Sequence, residues 1–383
     1  MKSYLNQLDS RKINTKKNKK KVDLFFLLLI LVLLLLGTAM IFSASYPNAL
    51  KRYNDGYYYI KRQIFFLVLG LVMMYAFSRV PTTIYRKFAP HFYIFCIILL
   101  VLVLFGGFSE GVAKRWLGVP GTPLSFQPSE LMKLGMILAL ASYITGVNQG
   151  KNSFTKSILI PGILLFLPCG LVLLEKHLSG TLILAFIGLS LLYISGTSVK
   201  KMAISYGLVA TCGATVFLLT NSYAMKRIES FLNPSADILS DKWQTTQGLY
   251  AIGSGGLWGK GFFNSVQKYS YVSEPQNDFI FTIWCEEMGF VGAVILITIF
   301  ILLIWRGFNI AFKAENSFDS MVAFGITVQV AIQSFLNMLV VTDLIPNTGI
   351  SLPFFSYGGS SLVILLAEVG ILLSISRKTS IAM

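Results

Sequence analysis

Charge is scarce in this chain. Asp, Glu, Lys and Arg make up 13% of its 383 residues, against about a quarter in a soluble globular domain. Apolar residues make up 55% and the mean hydropathy is +0.68, which excludes an ordinary soluble domain. Histidine is nearly missing. His91 and His177 are the only two, too few and too scattered for a histidine-rich metal site. Four cysteines, Cys96, Cys169, Cys212 and Cys285, lie singly within or at the ends of apolar runs. No pair has a metal or redox spacing, so they read as small core residues. Acidic side chains are fewer than basic ones, 17 against 32, for a net charge of +15.

What is abundant is uninterrupted apolar sequence. About 20 apolar residues cross the hydrocarbon core as a helix, and ten such runs are present. Their cores are Leu24–Phe42, Ile60–Phe77, Phe88–Gly106, Ser129–Ile144, Ile158–Leu174, Thr181–Ser195, Met202–Thr220, Phe279–Trp305, Met321–Val341 and Pro353–Ser374. The expected fold is all-α: a polytopic membrane protein of about ten spans, residues 24–376, with a large outer loop between the seventh and eighth. Residues 1–23 form a basic tail and residues 377–383 a short C-terminal end; no soluble domain is expected at either end. The first run is longer than a signal-peptide core and lacks a clear small-residue cleavage site, so it reads as an uncleaved span.

The positive charge does not point to nucleic acid. Residues 1–21 hold eight Lys/Arg against Asp9 alone, directly before a span. Other basic clusters lie at Arg79–Lys87, Lys151–Lys156, Lys200–Lys201, Arg306–Lys313 and Arg377–Lys378. They fall on one side if the spans alternate, which places both termini in the cytoplasm. The tail suits contact with anionic membrane lipids, and equally serves as a topology signal.

Alternation sends Gly107–Pro128, Glu175–Gly180, Asn221–Asp278 and Asp343–Pro353 to the outer face. Four of five tryptophans, Trp116, Trp243, Trp258 and Trp284, cluster with these segments, as in an aromatic belt. The polar island 221–278 is the most informative, because loops of this length in compact proteins are usually functional. Its glycine cluster, Gly253–Gly261, is not a phosphate loop. Ser254 stands where the first glycine belongs and Gly261 where Ser or Thr must follow Lys260. What remains is a tight turn near Lys260 and Lys268. It either presents backbone N–H groups to an anion or is purely structural. The island ends in Asp278, a carboxylate at a membrane boundary, where dehydration is costly.

This island, followed by "EPQNDFIFTIWCEEMGF" and "LIPNTGISLPFFSYGGSSLVILL", resembles the SEDS family of shape, elongation, division and sporulation proteins (FtsW/RodA-like). "RWLGVPGTPLSFQPSELMKLGMILAL" is similar to the family's outer loop leading into its fourth span. "FQPSELMK" and "LPFFSYGGSS" are highly specific strings in the family's order, and the resemblance leaves only the basic tail uncovered. It implies a ten-span glycosyltransferase that polymerises lipid II into peptidoglycan on the outer face of the bacterial cytoplasmic membrane. It also implies a class B penicillin-binding protein, a single-span transpeptidase, as partner. No cofactor is implied with certainty; a divalent cation is left open. Two segments depart from the pattern. Ser273-Glu274-Pro275-Gln276-Asn277-Asp278 replaces Pro-Glu-Ala-His-Thr-Asp, with the final Asp kept. His177 stands where Glu-Pro-Asp-Leu-Gly-Thr has its Asp, so no role for an Asp there carries over. The strings lean slightly toward the division and sporulation branch.

The chemistry fits independently. Forming a β-1,4 link from an α-linked sugar pyrophosphate inverts the anomeric carbon. One carboxylate suffices, taking the proton of the attacking hydroxyl. The departing pyrophosphate needs cations rather than an acid. Asp278 is the candidate base, and an N-cap for the eighth span is its bland alternative. Lys133, Arg115 and Lys114 are the candidate pyrophosphate contacts. Glu130, one turn before Lys133, can face it, and the two equally make a buried ion pair. Lys260, Lys268, Gln276 and Ser356 complete the candidate substrate contacts; no metal ligand set is read. Glu286 and Glu287 read as interfacial, and Glu368 as a cavity-lining residue. "SYGGSS" suits close helix packing. Two further functions fit a polytopic chain: a flippase or transporter of lipid-linked precursor, and a noncatalytic scaffold of a cell-wall complex.

Overall fold

A computed structural model describes residues 22–109, 114–119, 125–146, 155–220 and 242–379, with 225, 229 and 231 between the last two. Expectations that fall on the basic tail 1–21, on residues 147–154 or on most of 221–241 lie outside the described residues.

Every apolar run lies wholly or mostly in a helix, as chain in hydrocarbon must satisfy its own backbone groups. The helices are α1 (Leu24–Tyr53), α2 (Tyr58–Arg79), α3 (Thr82–Gly106), α4 (Pro128–Gly146), α5 (Ile160–Leu174), α6 (Leu178–Ile194), α7 (Val199–Thr220), α8 (Trp243–Ser254), α9 (Ile280–Phe312), α10 (Ser317–Val341) and α11 (Gly359–Ser376). Among the described residues, seven are long and apolar enough to cross a membrane: α1, α2, α3, the Thr155–Leu174 segment containing α5, α9, α10 and α11. α4 is central. Met132 through Ala141 are all buried, and α4 packs on α3, α5, α6 and α10. α2 and α11 approach very closely. A Cβ at Gly370 would lie 2.5 Å from the Met74 carbonyl, so only a small residue fits there.

Asp23 caps α1, accepting from the Phe26 N–H at 3.0 Å, and pairs with Arg306 Nε at 2.6 Å. The cap thus ties the start of α1 to the far part of α9.

Three elements differ from the expectation. The Gly107–Pro128 segment contains a short antiparallel pair, β1 (Phe108–Ser109) and β2 (Lys114–Trp116). The last span begins at Gly359, not at Pro353, because Phe354 has φ +63 and the Tyr357 N–H is taken by the Gln276 carbonyl at 2.8 Å. The helix α9 is broken at Gly289 (φ 66, ψ −167).

The break and the glycine turn explain each other. Lys260 and Gly261 donate their N–H groups to the carbonyls of Glu286 and Glu287, both at 3.0 Å. Phe290 and Val291 donate theirs to Gly256 and Leu257, at 2.9 and 3.1 Å. The turn therefore satisfies the backbone groups that the broken helix frees. It must be glycine-rich: Gly259 has φ +80, and a Cβ there would lie 2.1 Å from the Glu287 carbonyl. The anion-binding reading of this turn is corrected, since the N–H groups of Lys260 and Gly261 are already spent.

Candidate active site

Asp278 sits in the turn between the segment that follows α8 and α9, half-buried. The residue that caps α9 is Phe279, with no side-chain cap. Asp278 lies one position before that cap. Its carbonyl is held by Asn337 Nδ2 at 2.7 Å, and the same amide reaches the Ile350 carbonyl at 2.6 Å. Its carboxylate faces Gly349, where an added Cβ would come 3.7 Å from Oδ2.

Asn337 is one end of a polar stripe on α10. Gln329, Gln333 and Asn337 are spaced one turn apart, share one face, and are all buried. Gln333 accepts from Lys133 Nζ at 3.1 Å and donates to the Ser351 carbonyl at 3.1 Å. Lys133, itself buried, pairs with Glu130 at 2.8 Å. Gln329 donates to Glu368 at 2.8 Å. The stripe thus links the Asp278 turn, the 348–352 loop and the Lys133–Glu130 pair. A cavity opens beside it. Its polar lining comes from Glu130, Gln329, Gln333, Ser351, Ser356 and Ser361, and its apolar lining includes Leu352, Phe354, Leu362 and Leu365.

Arg115 approaches from β2 and is half-buried, while Lys114 is exposed. Arg115 lies beside the α5–α6 turn, where its charge acts on Glu175 and His177. Burial pushes the Glu175 carboxyl up to about 8, against the pull of Arg115. Neither of its oxygens has a hydrogen-bond partner among the described residues. Burial, then the charges of Arg115 and Lys133, lower His177 to about 3, so it is neutral at pH 7. Its Nδ1 lies 3.1 Å from Gln127 Nε2. Because His177 senses both cations, Arg115 and Lys133 belong to one electropositive region.

Other candidates go elsewhere. Lys268 is fully buried, 3.1 Å from Glu287, bonded to Ser43 and the Phe263 carbonyl. Lys260 is paired with Glu286 at 2.6 Å. Both lysines serve a knot that holds the segment between α8 and α9 onto α9, which removes the geometric case for substrate contact. Glu286 and Glu287, read as interfacial, are fully buried there. Trp284, read as part of a belt, is buried edge-on against Phe355 at 5.5 Å. Gln276 is buried and its Oε1 has no partner among the described residues. Ser356 accepts from the Leu352 N–H at 2.8 Å and lines the cavity. Among the described residues no three His, Cys, Asp or Glu side chains form a metal-ligand group.

The sequence reading missed Gln329, Gln333 and Asn337. Their signal was there: three amides at four-residue intervals inside an apolar span.

Residues 23–381 match the FtsW/RodA/SpoVE family model, described as "Cell cycle protein". Stage V sporulation protein E of Bacillus subtilis (strain 168) is 37% identical over 345 residues, covering 89% of this chain and 93% of that protein. A probable peptidoglycan glycosyltransferase FtsW of Geobacter sp. (strain M18) is 37% identical over 346 residues, with 89% and 93% covered. Among solved structures, a chain from a peptidoglycan synthase complex that coordinates polymerization and crosslinking superposes with a TM-score of 0.76 at 27% identity, covering 93% of this chain and 98% of that one. The rod shape determining protein RodA of Thermus thermophilus superposes with a TM-score of 0.69 at 27% identity, with 94% and 98% covered. With nearly the whole chain matched in sequence and in fold, the protein belongs to the FtsW/RodA/SpoVE family, the SEDS family its motifs resemble.

Proposed function

We propose that Asp278 is the general base of a glycan-polymerising reaction at the outer mouth of the bundle. The chain is a peptidoglycan glycosyltransferase of a bacterial membrane, and lipid II is the substrate that this reading gives it. The acceptor's 4-hydroxyl attacks the donor's anomeric carbon as its proton passes to Asp278. The C1–O bond to the pyrophosphate breaks with inversion, and lipid pyrophosphate leaves. Lys133 and Arg115, with exposed Lys114 at the rim, stabilise the leaving charge. Glu130 and Gln333 hold the Lys133 ammonium in place. Gln276 and Ser356 remain candidate contacts at the turn and in the cavity; Lys260 and Lys268 do not.

The observation that carries this reading is the buried α10 stripe. It ties the Asp278 turn to Lys133 through Asn337 and Gln333, and Gln333 and Gln329 also line a cavity of mixed polar and apolar lining, which suits an amphiphilic donor. The reading also places a transpeptidase of the class B penicillin-binding type on the outer segments and on the outward faces of α9 and α10. Both termini then lie in the cytoplasm, and residues 221–278 outside.

The test is polymer formed from lipid II by detergent-purified Asp278→Asn with its partner present. Synthesis should fall roughly 10²–10⁴-fold, the usual worth of a general base, with thermal stability little changed. Near-normal polymer from a folded variant would remove Asp278 from the mechanism and reopen the transporter and scaffold functions.

A further inference from the structure

The outward face of α2 carries a feature that glycan chemistry does not use. Positions 65, 68, 72, 75 and 79 alternate by three and four residues, so they form one stripe. All five are exposed: Phe65, Val68, Val72 and Tyr75, each close to 60%, and then Arg79. The stripe spans about 21 Å at 1.5 Å per residue, enough for an acyl chain in one leaflet of a ~30 Å core. At its polar end the Arg79 guanidinium sits 4.9 Å over the Tyr75 ring. Arg377, just past α11, reaches the same place: its Nη2 lies 3.4 Å from Ser78 Oγ.

The two arginines converge without an acid. Neither forms an ion pair among the described residues, and Arg377 Nε is buried with no partner there. The carboxylates of Asp319 and Asp23 pair elsewhere: Asp319 Oδ2 with Lys378, Thr82 and Asn316, leaving its buried Oδ1 without a hydrogen-bond partner among the described residues, and Asp23 with Arg306. Burial, and then the charge of Arg79, lower the Arg377 pKa from its ordinary value, as expected for neighbouring like charges. A topology signal requires positive charge on this side, but not the convergence of two guanidinium groups. Two guanidinium groups close enough to feel each other's charge, one over Tyr75 and one at Ser78, match the needs of a phosphate diester.

We propose that Arg79 and Arg377 bind the phosphate of an anionic phospholipid, whose acyl chain lies along the α2 stripe beneath Tyr75. Each arginine near an anionic surface favours binding by roughly five-fold, and the pair by roughly 25-fold.

The experiment uses the purified full chain in mixed micelles containing phosphatidylglycerol or phosphatidylcholine. Bound lipid is counted by native mass spectrometry, and thermal unfolding is followed in parallel. The native chain should retain phosphatidylglycerol in preference to phosphatidylcholine. The Arg79→Gln/Arg377→Gln pair should lose that preference by roughly 25-fold, while Lys87→Gln/Lys313→Gln keeps it. If the double variant does not fold, Arg79→Gln alone, at an exposed side chain, should lose roughly five-fold. An unchanged preference in the folded variants overturns the proposal. So does an equal loss in the lysine control, or equally tight binding of soluble glycerophosphate, which has no acyl chain. A photoreactive residue at position 72 that captures a protein helix in membranes assigns this face to a partner, and that also overturns it.

Discussion

Two buried clusters of carboxylates and lysines sit in this bundle, and they are built differently. In the knot around Glu286 and Glu287, every carboxylate oxygen is occupied. Glu286 accepts from Lys260, Ser254, Ser265 and the N–H groups of Val266 and Gln267. Glu287 accepts from Ser43, Lys268 and the N–H groups of Phe263 and Ser265. Around Lys133 the bonding is thinner. Its ammonium has Glu130 and Gln333, and Glu130 opens onto the cavity. Gln329 Oε1 and Glu368 Oε1 have no partner among the described residues. A saturated cluster has nothing left to offer a ligand, so it works for the fold. A cluster with spare hydrogen-bonding capacity beside a cavity is where a polar substrate gains most.

The sharpest way to break this comparison is to remove one partner from each cluster. Lys268→Met leaves Glu287 charged in a fully buried site. It should cost about 3–5 kcal/mol, the usual penalty for orphaning one member of a buried pair. Thermal unfolding in detergent reads it, and a variant as stable as the native chain would strip the knot of its structural role. Lys133→Met should instead lose polymer synthesis from lipid II more than it loses stability, because Glu130 can turn to the cavity.

Gly259→Ala attacks the same knot through its backbone. The added methyl meets the Glu287 carbonyl at 2.1 Å with φ at +80, and strain of this kind costs about 1–3 kcal/mol. Gly253→Ala, in the neighbouring helix α8, meets nothing within 4 Å. It should be neutral or stabilising by up to about 1 kcal/mol, as alanine is the better helix former. Equal melting temperatures for the two variants would show that the turn does not lock onto α9.

Gln333→Leu sharpens the other half. It removes the bonds from α10 to Lys133 and Ser351 while keeping an apolar helix. An unpaired buried partner costs about 1–3 kcal/mol. The expected signature is a polymerisation defect larger than the accompanying drop in melting temperature. A matched loss of both would make Gln333 structural only.

These differences also explain what the sequence could show. Long apolar runs leave helix as nearly the only solution, so the helices were legible from composition and spacing. Asp278 was legible because a carboxylate at the start of a span demands a reason. Lys133 with Glu130 was legible from a spacing of three on a helix. The break at Gly289 was not, because its freed carbonyls are satisfied by a turn some 30 residues earlier in the chain. Lys268 misled for the same reason: a lysine in a polar loop looks solvated until Glu287 and Ser43 are brought around it. Gln329, Gln333 and Asn337 were visible as a pattern, yet only the packing of α10 against α4 and α11 shows what they join.

The smallest effect tests the rim. Glu175 and His177 flank the α5–α6 turn, facing Arg115 and, for His177, Lys133. The Glu175 pKa is raised from 4.5 to about 8 in the fold. Between those values the native state holds a proton that the unfolded chain has released, so stability falls as pH rises. The His177 pKa is lowered from 6.5 to about 3. There the unfolded chain binds the extra proton, so stability falls as pH drops below 6.5. The two slopes oppose each other between pH 4.5 and 6.5, and above 6.5 only that of Glu175 remains. Glu175→Gln should therefore flatten the decline between pH 6.5 and 8, a slope of at most about 1.4 kcal/mol per pH unit. His177→Asn should leave that decline intact and flatten the acid side. Melting temperatures of the three proteins across this range decide it. Parallel curves for the native chain and Glu175→Gln would mean that Glu175 is already ionised in the fold, and that Arg115 is committed to it rather than to a leaving pyrophosphate.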